Sequence, residues 1–480
     1  MTVSWREMLS RATALFFLGL GMASCGTKDP GPDTQEVPRL EVLRENARLL
    51  GVDERQRFLL FTDQNDSGTY AKLLPLGVDT RISDPAQGAT LAQDGSVVLL
   101  WSAPDGAQAR TRWLWRPGSG AGIPFTTRST GDAVHDRALS YLAFTETDAG
   151  TTSLRVMDTA TCTQQACPLR TVLEVPGNLL SLQVGGKTVL AFDAKQGWLI
   201  DVPSGAVTEL GPQPEPPTLS PDGAHYILFD GAGHLQVFDT ATRTLQWERP
   251  WAQDVSRAGW KVGSAVMTDA KLLVVNIYEP PPPGSIPLVR ATLTCDATSC
   301  RGLDGGDGNC GLAGRGDLVS CSRQVRCGPY GCEYNSLYFD ASMRLLSNTS
   351  STGARQPQPA FSADLTQNVS LYRDSSSDRL IWNRPEGGRE LALQGYLDTN
   401  ICTFLPGAER VVFAQRLTRS DGVSETRLWT WDGTALKDEL ALPSPPSSLP
   451  VVRASPTTLY VNVEAADRNY SHIARIRLQP

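Results

Sequence analysis

Thr218 to Thr240 reads TLSPDGAHYILFDGAGHLQVFDT, and its punctuation decides the fold. Ser220-Pro221-Asp222-Gly223 has the composition of a tight turn. Proline presets φ, aspartate bonds its own backbone, and glycine takes positive φ at little cost. A β-rich run, His225 to Phe229, follows. Asp230-Gly231-Ala232-Gly233 then reverses the chain into a second run, His234 to Phe238, which closes on Asp239-Thr240. This is a turn, a strand, a hairpin and a strand.

Looser copies of the unit fill the chain. Toward the N-terminus, Arg57 to Thr62 goes with Tyr70 to Leu76, and Ser96 to Trp101 with Arg112 to Arg116. Ser140 to Thr145 then goes with Leu154 to Asp158, and Thr188 to Phe192 with Trp198 to Val202. Beyond the quoted stretch, Leu272 to Ile277 goes with Leu288 to Thr292, and Asp317 to Ser320 with Ser336 to Asp340. Val369 to Tyr372 with Arg379 to Asn383, Val411 to Gln415 with Thr426 to Trp431, and Thr458 to Val463 with His472 to Leu478 complete the set. The first runs start roughly every 40 to 50 residues, the period of a four-stranded propeller blade. A single unit would leave one sheet face bare, so the units must stack radially to bury a core. The expected fold is therefore all-β: a propeller of four-stranded antiparallel blades, with about 7 to 10 units. The upper figure exceeds the usual blade number, which leaves open one large ring, two adjoining smaller ones, or some units as decorations. Trp113, Trp115, Trp198, Trp382, Trp429 and Trp431 lie inside these runs and read as packing between blades.

The turn SPDG at 220–223, with drifted forms AQDG at 92–95, FSAD at 361–364 and LPGAE at 405–409, resembles the repeats of TolB-like and WD40-like β-propellers. That resemblance implies a propeller and, by analogy, a protein-binding role at the cell envelope. TolB itself is not lipid-anchored, and its partner-binding N-terminal domain has no counterpart here. No binding residue is therefore carried over.

Residues 1–24 read as a signal. Arg6 and Arg11 supply positive charge, and Ala12 to Met22 is an apolar and glycine run too short to span a bilayer. Met22-Ala23-Ser24-Cys25 resembles the bacterial lipobox, with Met where Leu is commoner. The resemblance implies that Cys25 becomes the lipidated first residue, and several acyl chains on one residue anchor firmly. Gly26 stands where an Asp would retain a lipoprotein at the inner membrane, which points to the outer membrane. Residues 25–38 are polar and Pro-rich, a tether, and 39–480 form the propeller domain. Without Arg6, Arg11 and Glu7 the formal charge passes from −7 to −8, with signs interspersed. Nucleic acid is thereby disfavoured as a partner; the membrane, through lipid, and another envelope protein are the partners expected.

Cys162–Cys167, Cys295–Cys300 and Cys327–Cys332 share the spacing C-x4-C, suited to a bridge across a hairpin tip or small loop in an oxidising compartment. Cys310 and Cys321 can close a larger loop, which leaves Cys402 over as a free thiol. The four cysteines from 310 to 332 allow three connectivities. Zinc is the rival reading of this region, but no histidine lies among these cysteines.

Chemistry is sparse in the sequence. His135, His225, His234 and His472 are scattered without metal-ligand spacing. No G-x-S-x-G or H-E-x-x-H occurs, and Gly185-Gly186-Lys187-Thr188 reads as a hairpin turn, not a phosphate loop. Asp63, Asn65 and Asp66, and Asp304, Asp307 and Asn309, offer oxygen ligands without the full calcium-loop series, so they read as polar turns. No cofactor, metal site or catalytic residue is assigned. The reading is an interaction or scaffold propeller, with an envelope hydrolase or lyase, or a glycan binder, as alternatives. Finally, Arg39 to Leu43 is expected to pair with the last strand, His472 to Leu478, and so close the ring. A short surface helix over Arg39 to Leu50 is the rival.

Cys25→Ser is expected to leave the protein unprocessed or released from membranes. Mass spectrometry of the mature N-terminus checks this, and an unmodified protein starting elsewhere would count against it.

Overall fold

The computed structural model describes residues 39–479, apart from 54, 56, 75–76, 107, 231–232, 252–260, 280–287, 304–307, 314–316, 329–330, 353–358, 363, 374–377, 394–395, 406, 408, 419–421, 423, 443–451 and 465–470. Forty strands fall into ten antiparallel four-stranded blades. Blades 1 to 5 span 47–83, 88–129, 134–176, 181–212 and 218–250. Blades 6 to 9 span 261–302, 309–352, 360–392 and 396–442. Blade 10 combines 452–477 with Leu40–Arg44. Blades 2 and 3 share one continuous sheet through a single residue pair, Glu146 with Ser129.

All ten strand pairs expected from sequence are the second and third strands of a blade. The physical reason is burial on both faces. Thr188–Phe192 is buried at every position, as is Leu273–Ile277, because each middle strand lies between two neighbouring sheets. The outermost strands lack that signature; Arg170–Pro176 and Leu245–Pro250 are largely exposed or half-buried. The innermost strands shrink to two residues in blades 3, 5 and 8, too short for any periodicity to register.

The SPDG turn joins the innermost to the second strand of blade 5. Gly223 N donates to Ser220 O at 2.9 Å, the Ser220 hydroxyl to Asp222 Oδ1 at 2.6 Å, and Ala224 N to the same oxygen at 3.1 Å. Burial alone would raise the Asp222 carboxyl, but Lys271, Ser220 and the Ala224 N–H together hold it down at about 2. Gly223 has φ +71°, and a Cβ there would stand 1.9 Å from Gly185 O in the corresponding turn of blade 4. Adjacent blades therefore meet backbone to backbone at this end, where only glycine fits.

A second turn recurs at the same end, between third and outermost strands. Asp201, Asp239, Asp296, Asp340 and Asp432 each accept from the backbone N–H of a nearby Ser or Thr: Ser204, Thr242, Thr298, Ser342 and Thr434. Such Asx turns fix the hairpin without any tertiary partner.

Each apolar core joins two neighbouring blades. Trp113 and Trp115 pack with Phe58 and Leu60 between blades 1 and 2, and Trp198 with Leu154 between blades 3 and 4. Trp382, fully buried, meets Trp431 and Phe404 between blades 8 and 9. Arg112 is buried where blades 2 and 3 meet, donating to Ser129 Oγ at 3.0 Å and Gly131 O at 2.5 Å, and burial pushes its guanidinium down to about 10. Contacts of this kind link every consecutive pair of blades, including blade 10 with blade 1 through Tyr460, Ile473, Leu49 and Phe61. The ten blades form one ring, and neither two smaller rings nor decorative units are needed.

Leu40–Arg44 closes that ring as the outermost strand of blade 10, pairing antiparallel with Ser471–Arg477. The segment is a strand followed by another strand, Ala47–Val52, so the helix considered for 39–50 does not form. Glu41 pairs with Arg475 and Arg477, and Arg477 N donates to Arg39 O at 2.8 Å. Both ends of the propeller domain are also tied to buried Glu439 of blade 9: Gln479 N donates to its carboxylate at 2.9 Å and Arg39 Nη1 to its carbonyl at 2.5 Å.

Deleting residues 471–480 is expected to unfold the whole domain, because it strips Leu40–Arg44 of its partner and uncovers the cores on both sides. The milder Ile476→Ala, at a fully buried position, should cost about 2–5 kcal/mol. Urea unfolding followed by tryptophan fluorescence measures both, and a truncated protein with an unchanged midpoint would contradict the closure.

Candidate functional site

The innermost strands wall the central channel, and near the SPDG end they enclose a cavity of about 770 Å³. Val52 of blade 1, Leu91 of blade 2, Val134 of blade 3, Leu182 and Val184 of blade 4, Leu219 of blade 5 and Leu312 of blade 7 form its apolar wall. Gln93, His135, Asp136, Arg137 and Gln183 supply the polar groups. Most of these are already engaged. Asp136 accepts from Tyr141 N at 2.7 Å and Ala138 N at 3.3 Å, and the Gln183 carbonyl accepts from Leu219 N at 2.9 Å. His135 Nδ1 sits 2.8 Å from Asp136 O. Asp53, at the edge, is bound by the guanidinium and backbone N–H of Arg57. These carboxylates serve turns.

Arg137 is the exception. Its guanidinium reaches Asp269 of blade 6 at 2.5 Å, and Asp222 of blade 5 and Asp317 of blade 7 add to its electrostatic stabilisation. Blades 4 and 5 stand between blades 3 and 6 along the ring, so this ion pair crosses the channel at its mouth. Lys271, also of blade 6, pairs with Asp222 beside it. Arg137, which lines the apolar cavity, is thus tied to blade 6, beside the pair that joins blades 6 and 5.

Of the residues singled out in the sequence, His135 and Pro221 line this cavity; the cysteines and the acidic loops do not. Cys25 falls outside the described residues, as do Asp304 and Asp307. Disulfides join Cys162 to Cys167, Cys295 to Cys300 and Cys310 to Cys321. The second spans the hairpin at the outer edge of blade 6, and the third links paired positions of the two inner strands of blade 7. Zinc is therefore not what holds those four. Cys327 and Cys332 are paired in backbone register, but their side chains lie outside the described residues. Cys402 is free and packs against the blade 8 to 9 core, where burial pushes its thiol up to about 12. Asp63 and Asp66 accept from Asn65 N and Gly68 N, which makes that loop a polar turn. Sequence spacing gave no reason to group the channel residues. Arg137 and Asp269 are 132 positions apart, and only ring closure brings them together.

No protein-family model matches this chain. No characterised protein matches it in sequence at a significant level. Among solved structures it is similar to a eukaryotic initiation factor, with 10% identity, 84% of this chain and 90% of that one covered, and a TM-score of 0.43. It is also similar to the β-propeller domain of the Trilobed protease from Pyrococcus furiosus, with 11% identity, 73% and 96% covered, and a TM-score of 0.32. The β-propeller domain of Myceliophteria thermophila Cps50 (Swd1) gives 10% identity, 72% and 96% covered, and a TM-score of 0.31. The class is defined by the ten blades themselves: the chain is a β-propeller protein.

Arg137→Ala is expected to open the mouth with little effect on stability, under about 1 kcal/mol for a half-exposed ion pair. A cysteine placed at Leu182 in the cavity wall reports on this, since Cys402 has too high a pKa to react quickly. Its labelling by a maleimide should run several-fold faster in the Arg137→Ala background. An unchanged rate would show that the pair does not restrict access.

Proposed function

We propose that this protein is a lipid-anchored propeller of the cell envelope, held at the outer membrane by Cys25, that serves as an interaction or scaffold module. The observation that carries the reading is the channel mouth. An apolar cavity whose carboxylates are committed to turns suits binding better than acid–base chemistry, and the Arg137–Asp269 pair at its mouth can select a partner. The six tryptophans that a glycan reading would place on an exposed face are instead packed into the blades, wholly or in part. The disulfides fit an exported protein, because such bonds persist in oxidising compartments. Among the described residues no helix is long and apolar enough to cross a membrane; the attachment proposed is the lipid on Cys25. The partner is another envelope protein that inserts a short segment into the mouth.

A photo-crosslinking amino acid at exposed Gln93, on the rim, tests the proposal in intact cells. A discrete adduct with one envelope protein is expected there, and none from Glu174 on the outermost strand of blade 3. Matching adduct patterns from both positions, or none from Gln93, would overturn it.

A further inference from the structure

Three potential metal ligands meet on blade 5, outward from the channel. Asp230 follows the second strand, His234 opens the third, and Glu248 stands on the outermost strand, where Gln236 pairs with it. His234 Nδ1 lies 2.9 Å from Asp230 Oδ2 and 3.6 Å from Glu248 Oε1. The three donor atoms all lie within 4.8 Å of one another, and all three residues are half-buried. The other Asp230 oxygen accepts the backbone N–H of His234 at 2.7 Å, which fixes how that carboxylate is turned.

The convergence of three donor atoms from three segments of one blade is what makes this a ligand site. With a neutral imidazole it carries two negative charges; protonation of the ring still leaves one. Nδ1 lies at hydrogen-bond distance from Asp230 and at the longer ion-pair distance of 3.6 Å from Glu248. Arg249 offers no relief, since its guanidinium turns away to the carbonyls of Glu248 and Ala297.

We propose that Asp230, His234 and Glu248 bind one divalent first-row transition ion of the zinc type, with water in the remaining positions. An imidazole nitrogen with two carboxylate oxygens is a common donor set for such ions, whereas calcium takes oxygen ligands only. The three ligands come from three successive segments of one blade. The ion would therefore clamp the hairpin to the outermost strand and stabilise the folded blade by mass action. The bound imidazole must be unprotonated, so protons compete with the metal.

The test is calorimetric titration of untagged full-length protein, solubilised in detergent and stripped with a chelator, with Zn²⁺ at neutral pH. One saturable site is expected. His234→Ala and the near-isosteric Glu248→Gln should each weaken it at least about tenfold, while His472→Ala leaves it unchanged. Binding should fall off at pH about 5.5, where histidine protonates, and Ca²⁺ should not substitute. Glu248→Gln keeps the size of the side chain, so its loss of binding is not a folding defect. No saturable site, binding undiminished in His234→Ala, or equal affinity for Ca²⁺ would each overturn the assignment.

Discussion

The whole structure depends on one pairing, that of Leu40–Arg44 with Ser471–Arg477. A ring of sheets has no hydrophobic centre of its own; its cores lie between blades, and each core needs both of its walls. Blade 10 receives only three strands from the C-terminal end of the chain, and the fourth must come from the N-terminal end. Without it the last sheet would keep an unpaired edge, and the core it shares with blade 1 would open. The ion pairs from Glu41 and the bonds to Glu439 hold the two chain ends in that register.

Close stacking of so many blades sets requirements that local chemistry meets. Where turns of blades 4 and 5 touch, Gly185 and Gly223 leave no room for a side chain. Where third and outermost strands turn, aspartates satisfy their own backbone, so these hairpins ask nothing of their neighbours. Aromatic bulk is spent between blades, as with Trp382 against Trp431. The innermost strands, cut to two residues in blades 3, 5 and 8, surround a cavity with an apolar wall and a few polar groups.

Charge is used in two ways. Many aspartates are turn components, as at Asp201, Asp239, Asp296, Asp340 and Asp432. Other charged groups pair across segments, among them Arg137 with Asp269 at the cavity, Glu41 with Arg475 and Arg477 at the closing strand, and the Asp230–His234–Glu248 trio on blade 5.

The middle strands of all ten blades were legible in the amino-acid sequence, because burial on both faces writes an uninterrupted apolar run flanked by turn residues. The SPDG turn, the C-x4-C bridges at 162–167 and 295–300, and the closing role of the segment after the tether were legible for the same reason: each is local or leaves an alternation of residue types. Inner strands of two residues and polar outer strands leave no such trace. The channel and the metal-ligating trio were invisible for a different reason. Arg137 and Asp269, or His234 and Glu248, have no relation in spacing that chemistry would recognise. Their proximity is a product of ring geometry and strand register, which only the folded chain decides.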